Sequence, residues 1–276
     1  MTYIPSRFQT IIDDQVALYG QRRTFEIRNS IPPTNTIPLN NNRLHWLRIP
    51  DVISVFVDMK GSTQLSAQKH EGGTAGAYQL FTGTAVDLFH EFDAPYIDVR
   101  GDGVFALFNQ DQVYRAFAAA ITFKTFADTV FVPELKKKTG IQLGAHIGID
   151  QKTVLVRRVG LKRHADHTDR QNEVWAGKPV NMSSKLAAMG DAGDLLVSDR
   201  YFERIIHERV RKSCGCREGH PSKDKTDLWM PVDVKDDPKF DFATAYCLKT
   251  HWCETHGEEY CNAILALDAS VRARAS

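Results

Sequence analysis

The sequence predicts an α+β domain with the element order β-α-β-β-α-β, and three observations carry that prediction. The run Val52-Ile53-Ser54-Val55-Phe56-Val57 is apolar and β-branched, ends on Asp58 and turns through Gly61, as a buried strand does. Tyr96 to Phe108 reads as strand, tight Gly101-Asp102-Gly103 turn, strand. Two stretches with helical apolar spacing, about 73–92 and 112–137, separate these strands from one another and from a further strand at 141–149. Together these make the split βαβ, ferredoxin-like arrangement. It is shared by many unrelated proteins and by itself carries no function.

The elements follow in order. Residues 6–23 form a modest amphipathic helix with Phe8, Ile11, Ile12, Val16 and Leu18 as its apolar positions. Pro32, Pro33 and Pro38, followed by Asn40-Asn41-Asn42, break regular structure, so residues 1–45 read as a helix and linker appended to the body. The body, 46–210, opens with strand 52–58. The helix over 73–92 presents Tyr78, Leu80, Phe81, Val86, Leu88 and Phe89, and the helix over 112–137 presents Val113, Phe117, Ile121, Phe123 and Phe126. Ile141–Ile149 alternates as a strand, and Thr153–Val159 is expected to fold back on it as a second hairpin. A polar, basic loop is expected over 162–172, then a helix over 179–189, a strand over 195–198 and a helix capped by Asp199. Residues 211–276 form a Cys- and His-containing extension.

Composition narrows the function classes. Of 276 residues, 42% are hydrophobic and 25% charged, as in globular proteins. A net charge of +1 gives no global field for nucleic acid or membrane, so neither is expected as a partner. No apolar run is read as long enough to span a membrane, and no signal-peptide core opens the sequence. Five cysteines without such a signal point to reduced thiols, and the expected location is cytoplasmic.

The chemistry sits at two acidic residues. Asp58 ends a buried strand, and the Gly61-Ser62-Thr63 turn after it offers backbone N–H groups to an anion such as a triphosphate. Asp102 lies in a hairpin turn with similar surroundings. Two strand-end carboxylates converging on one point would hold two divalent ions for phosphoryl chemistry. A turn Asp after a strand is the plainer reading of either residue alone. Lys60 reads equally as a surface residue or a phosphate contact.

Phe56-Val57-Asp58-Met59-Lys60-Gly61-Ser62-Thr63, Gly101-Asp102-Gly103 and Val174-Trp175-Ala176-Gly177-Lys178-Pro179-Val180-Asn181-Met182-Ser183-Ser184-Lys185 resemble the motifs of class III nucleotidyl cyclases in order and spacing. The resemblance spans roughly residues 52–205. It implies that Asp58 and Asp102 bind two catalytic ions, Mg²⁺ or Mn²⁺, that Asn181 orients the ribose, and that Lys185 takes the place of an Arg which stabilises the pentavalent phosphorus. Lys keeps that charge but lacks the bidentate fork. The resemblance also implies a two-fold homodimer, with Asp58 and Asp102 from one subunit and Asn181 and Lys185 from the other.

At the base-reading positions of that family stand Asp98 and Glu173, with Arg100 on the same strand face as Asp98. An ionised carboxylate accepts hydrogen bonds only. It suits N1–H and N2–H of guanine, N3–H of uracil or N4–H of cytosine, and it suits adenine N1 poorly. Arg100 is placed to reach a base carbonyl. The wider texture, including Trp252-Cys253 and His256 to Cys261, resembles the pyrimidine cyclases of bacterial Pycsar anti-phage systems. That likeness implies UTP or CTP as substrate, UTP being the closer match, with a cyclic nucleotide product sensed by a separate effector protein. Guanylate or cytidylate cyclisation, or nucleotide binding without turnover, are the alternatives.

In the extension, Cys214-Gly215-Cys216 and Cys253-Glu254-Thr255-His256, with Cys261 and His220 nearby, have spacings that a tetrahedral Zn²⁺ can use. Unpaired thiols are the plainer reading. Cys247 alternates with apolar neighbours and is expected in the core. His146, on strand 141–149, is expected to be a satisfied core histidine.

Overall fold

Strand β2 (His45–Lys60) organises the sheet in the computed structural model, which describes residues 4–38, 43–68, 71–161, 170–217, 220–221 and 224–275. It starts earlier than its apolar run. Pro50 and Asp51 do not end it; the register shifts between Ile49 and Val52, and Asp51 takes φ 50° to carry the chain through the bulge. Before β2 come the exposed helix α1 (Ser6–Tyr19) and the short strand β1 (Thr24–Ile27), which pairs in parallel with the first residues of β2. The Pro-rich stretch after β1 is irregular but packed: Ile31 and Ile37 are buried in a small cluster with Leu47, Ile49, Val52, Leu107, Val154 and Val156.

After β2 the chain forms α2 (Ser62–Gln68) and α3 (Glu71–Glu91), the hairpin β3 (Tyr96–Arg100) and β4 (Gly103–Phe108), then α4 (Val113–Phe126). A π turn over Ala127–Phe131 continues α4 into α5 (Val132–Thr139). Next come β5 (Gly144–Leu161), β6 (Arg170–Gly177), α6 (Lys178–Met189), β7 (Leu195–Ser198) and two single-turn helices, α7 (Asp199–Phe202) and α8 (Glu208–Arg211). The chain closes with a two-residue ladder of β8 (Cys216–Arg217) on β9 (His220–Pro221), then β10 (Trp229–Asp233), β11 (Thr244–Leu248) and α9 (Gly257–Ala275).

The central strands lie in the order β5-β2-β4-β3, which the βαββαβ pattern demands, and β7, β11 and β10 extend the sheet beyond β5. Residues beyond 210 therefore supply two strands of the main sheet. Alternation along β2 sorts its faces. Ile53, Val55, Val57 and Met59 enter the main core with Phe81, Ala85 and Phe89 of α3 and with Ala116, Phe117, Ala120 and Phe123 of α4. Leu80, expected in that core, points outward. The 27-residue helix Val113–Thr139 is long and apolar enough to cross a membrane by length and composition. Over half of its most apolar window is buried in this fold, which is the state of a core helix.

Three expectations are corrected. Residues 141–149 and 153–159 do not fold back on each other; β5 runs straight through Asp150, because β2 offers pairing partners along almost its whole length. Asp150 is a fully buried acid held bidentately by Arg200, at 2.7 and 2.6 Å, and turns nothing. The basic loop expected over 162–172 ends sooner, since Arg170–Gly177 is strand β6, antiparallel to β5; residues 162–169 lie outside the described residues. The cap of α7 is Ser198, whose hydroxyl accepts from the Tyr201 N–H, and Asp199 is the first helical residue.

Candidate active site

Asp58 lies on the β2 face opposite α3 and α4, at the end of the strand. The β3–β4 turn brings Asp102 beside it. Gly103 makes this approach possible: a Cβ there would stand 2.8 Å from the Phe56 ring and 3.3 Å from Asp58 Oδ1. Burial, then the charge of Asp102, pushes the Asp58 carboxyl up to about 6, against a hydrogen bond from the Met59 backbone. Among the described residues neither carboxylate has a Lys, Arg or His ion-pair partner. A rigid pair of repelling oxygen donors without a cation of their own suits a hard divalent ion, which would relieve the repulsion and hold both carboxylates ionised.

His146 sits directly across from Asp58 on β5. It is buried as expected but not satisfied: Nε2 has no hydrogen-bond partner. Burial, then Lys60, lowers its pKa, so the ring is neutral. Lys60 itself is exposed, 4.0 Å from Asp191.

The base-reading candidates do converge. Asp98, Arg100 and Glu173 line one cavity of about 150 Å³ with Tyr96, Phe105, Leu107, Trp175 and Val180. Arg100 Nε donates to Asp98 Oδ2 at 2.7 Å, and Arg158 Nε donates to Glu173 Oε1 at 2.9 Å across the β5–β6 ladder. Tyr96 and Trp175 pack with ring centroids 4.6 Å apart. Burial and then Asp98 push the Tyr96 phenol up to about 12, so it remains a donor at neutral pH. The Trp175 indole N–H is buried without a well-formed hydrogen bond, although the Tyr96 phenol is near enough to feel it. Tyr96 was legible only as the residue two before Asp98, hence on its face; nothing local marked Phe105 or Val180. Arg157 is a buried β5 residue that donates to the Arg43 carbonyl and lies over the Trp46 ring.

Helix α6 starts at Lys178 with Pro179 in its first turn. It seats closely on the sheet: Ser183 Oγ is 2.9 Å from Ser54 Oγ, and Gly148 of β5 leaves room for the α6 backbone. Asn181 projects into solvent from its N-terminal half, and Lys185 Nζ donates to the Lys239 carbonyl at 2.8 Å.

No protein-family model matches the chain. Among curated proteins it is 36% identical over 236 residues to a uridylate cyclase of Micromonospora echinofusca, covering 84% of this chain and 74% of the relative. It is also 36% identical over 226 residues to a uridylate cyclase of Propioniciclava tarda, covering 80% and 70%. The chain belongs to the uridylate cyclase family. Solved structures agree on the fold. The adenylyl cyclase CyaB from P. aeruginosa matches with a TM-score of 0.56 at 16% identity, over 74% of this chain and 95% of that one. The guanylate cyclase domain of RhGC from Catenaria anguillulae, in complex with GTP, matches at 0.55 and 16%, over 74% and 98%. The fold of this cyclase is that of nucleotide cyclase catalytic domains, as its motifs led us to expect.

In the same cyclase, behind α4 and apart from the acidic pair, Cys214, Cys216, Cys253 and His256 come together with their ligand atoms all within 4.8 Å of one another. Burial would raise the Cys253 thiol, but hydrogen bonds from the backbone and ring of His256 and the backbone of Thr255 bring it down to about 6. Cys216 is pushed up to about 11 by burial and by hydrogen bonds with Cys214 and Cys253. Cys261 is half-buried outside this cluster, Cys247 lies in the core, and the His220 side chain lies outside the described residues.

Proposed function

We propose that this enzyme converts UTP to 3′,5′-cyclic UMP and pyrophosphate with two Mg²⁺ or Mn²⁺ ions. The carrying observation is Asp58, half-buried against Asp102, with no Lys, Arg or His ion-pair partner for either carboxylate among the described residues. Divalent ions held there supply acidity to the ribose 3′-hydroxyl and charge neutralisation to the triphosphate. The 3′-oxygen attacks the α-phosphorus, the new P–O3′ bond closes the ring, the bond to the bridging oxygen breaks, and pyrophosphate leaves while the hydroxyl proton passes to solvent.

Asp58 and Asp102 hold the metal-binding half of each site. Asn181 fixes the ribose so that the 3′-oxygen lies in line, and Lys185 leaves the Lys239 carbonyl to meet charge building on phosphorus. Asp98 accepts from uracil N3–H, Arg100 donates to O4, and Glu173 with Arg158 closes the rim. A small cavity walled by Tyr96 and Trp175 suits a single-ring base. Lys60 faces Asp191 rather than the acidic pair, and we assign it at most a contact with the outer phosphates. The 36% identity to proteins named uridylate cyclase supports UTP over GTP or CTP.

The two halves belong to different protomers of a homodimer. Helix α6 touches β2 at Ser54, four residues before Asp58, or roughly 13 Å along a strand. Asn181 lies further toward the N-terminal end of α6, so it meets the acidic pair of a twofold-related copy and not its own. We place the enzyme in the cytoplasm, where its product would act as a second messenger in anti-phage defence through a separate effector that senses it.

Purified full-length enzyme incubated with each of the four ribonucleoside triphosphates and Mn²⁺, read by chromatography, tests the reading. Cyclic UMP from UTP is the expected product, abolished in Asp58→Ala with the fold intact. Cyclisation of another base in preference to uracil overturns the substrate assignment, and turnover by Asp58→Ala overturns the metal role.

A further inference from the structure

Three thiols and an imidazole from segments some forty residues apart meet at one point. We infer that Cys214, Cys216, Cys253 and His256 bind one structural Zn²⁺ that fastens the C-terminal helix to the core helix α4. The catalytic proposal does not bear on this one.

The ligand atoms lie within 4.8 Å of one another, close enough to close on one tetrahedral ion. Zn–S bonds of about 2.3 Å and Zn–N bonds of about 2.0–2.1 Å place neighbouring ligand atoms about 3.6–3.8 Å apart, since a tetrahedral edge is about 1.63 times the bond length. The Cys216 Sγ to His256 Nδ1 distance is 3.3 Å and the Cys253 Sγ to His256 Nδ1 distance is 3.9 Å, bracketing that edge. All four residues are half-buried, and all five cysteines of the chain are free thiols. Gly215 has φ 85°, a left-handed conformation that turns the flanking Cys214 and Cys216 onto one centre. Cys253 and His256 sit in the turn that opens α9, where the Gly257 N–H donates to the Cys253 carbonyl at 2.7 Å. A closed set of three sulfurs and one nitrogen is the ligand pattern of structural zinc. It has no open position, and its soft donors select against the hard ions that suit Asp58 and Asp102.

The neighbours say what the metal holds together. Trp252, just before the second ligand pair, donates its indole N–H to Thr122 Oγ1 at 2.9 Å and its backbone N–H to Thr125 Oγ1 at 3.1 Å, both on α4. Further along α9, Asp268 is buried and accepts from the Tyr114 and Arg115 backbone N–H groups at 3.0 and 2.7 Å. These are orphan donors of the first turn of α4, whose own cap position, Gln112, makes no side-chain cap bond. Fixing the start of α9 therefore fixes the residue that caps the central core helix.

The test uses the full-length chain, purified under reducing conditions without chelator and desalted to remove weakly held ions. Elemental analysis is expected to find one zinc per chain. Asp58→Asn and Cys261→Ser retain it; Cys216→Ser and Cys253→Ser lose it several-fold. Stripping the metal raises hydrogen exchange at residues 113–116 and 252–268, and added Zn²⁺ restores protection. Should the Cys variants fail to fold, Co²⁺ loaded into the wild-type chain reports instead, by thiolate charge-transfer and tetrahedral ligand-field bands. A chain that neither carries zinc nor takes it up after reduction, zinc content indifferent to Cys253→Ser, or Co²⁺ lacking those bands overturns the inference.

Discussion

Replacing Gly148 with alanine probes how α6, proposed to carry the ribose- and phosphate-binding residues, is positioned. Gly148 lies on β5 beneath α6, and a Cβ there would stand 1.9 Å from the Ser183 carbonyl oxygen, 2.9 Å from the Ser183 carbonyl carbon and 2.7 Å from the Ala187 nitrogen. Each is helix backbone, so no side-chain rotation relieves the clash. A carbon–oxygen contact needs about 3.3 Å, so α6 must retreat by about 1.4 Å. Overpacking of this kind costs about 1–3 kcal/mol, and losing the 2.9 Å Ser54–Ser183 hydrogen bond adds about 1 kcal/mol. At roughly 2–4 °C per kcal/mol the melting temperature falls by about 4–16 °C. Because α6 carries Asn181 and Lys185, a 1 Å displacement lowers kcat by about 10²-fold. Gly83→Ala is the control: Gly83 lies in α3 with nothing within 4 Å of an added Cβ, so that change is neutral or stabilises by up to about 1 kcal/mol. Thermal unfolding and cyclic UMP formation read both variants. A Gly148→Ala enzyme with the wild-type melting temperature and rate would refute the reasoning.

Other outcomes follow from the same contacts. Folding raises the Asp58 pKa from 3.8 to about 6, so the folded state holds that proton more tightly and metal-free stability falls as pH rises between those values. Asp58→Asn should therefore raise the metal-free melting temperature at pH 8 and leave it unchanged at pH 3.5; an equal gain at both would exclude this carboxyl as the source. Lys185→Ala should lower kcat by about 10²–10³-fold with little change in KM, and Lys185→Arg should retain most of the rate; a loss confined to KM would make Lys185 a ground-state contact. Asp268→Ala removes a buried acceptor from two backbone donors and should cost about 1–3 kcal/mol in urea unfolding, with no change in the KM for UTP. Asp98→Ala should cut kcat/KM for UTP by about 10–100-fold, more than it changes folding stability, and an unaltered ratio would remove Asp98 from base recognition.

The strand ending at Asp58, the Gly-Asp-Gly hairpin and the two core helices were legible because each is written locally, in alternation, helical spacing and turn glycines. The second half of the chain was harder for the converse reason. Asp150 followed by Gln151 and Lys152 carries turn composition, yet β2 supplies a ladder partner on one side and Arg200 a counter-charge on the other, so the strand continues. The cavity walls were half legible: Asp98, Arg100 and Glu173 stood at motif positions, while Tyr96 and Trp175 meet from strands β3 and β6, which are not paired with each other.

The sequence by itself determined the βαββαβ core, the acidic pair and the cyclase family, since short-range periodicity and motif spacing suffice for each. Only the tertiary structure decided that neither acid of the pair meets a cation among the described residues, how closely α6 seats on Gly148, and that Asp268 caps a helix 154 residues away. Such facts depend on which groups meet after long loops close, and that is fixed by packing and desolvation across the whole sheet rather than by any local run of residues.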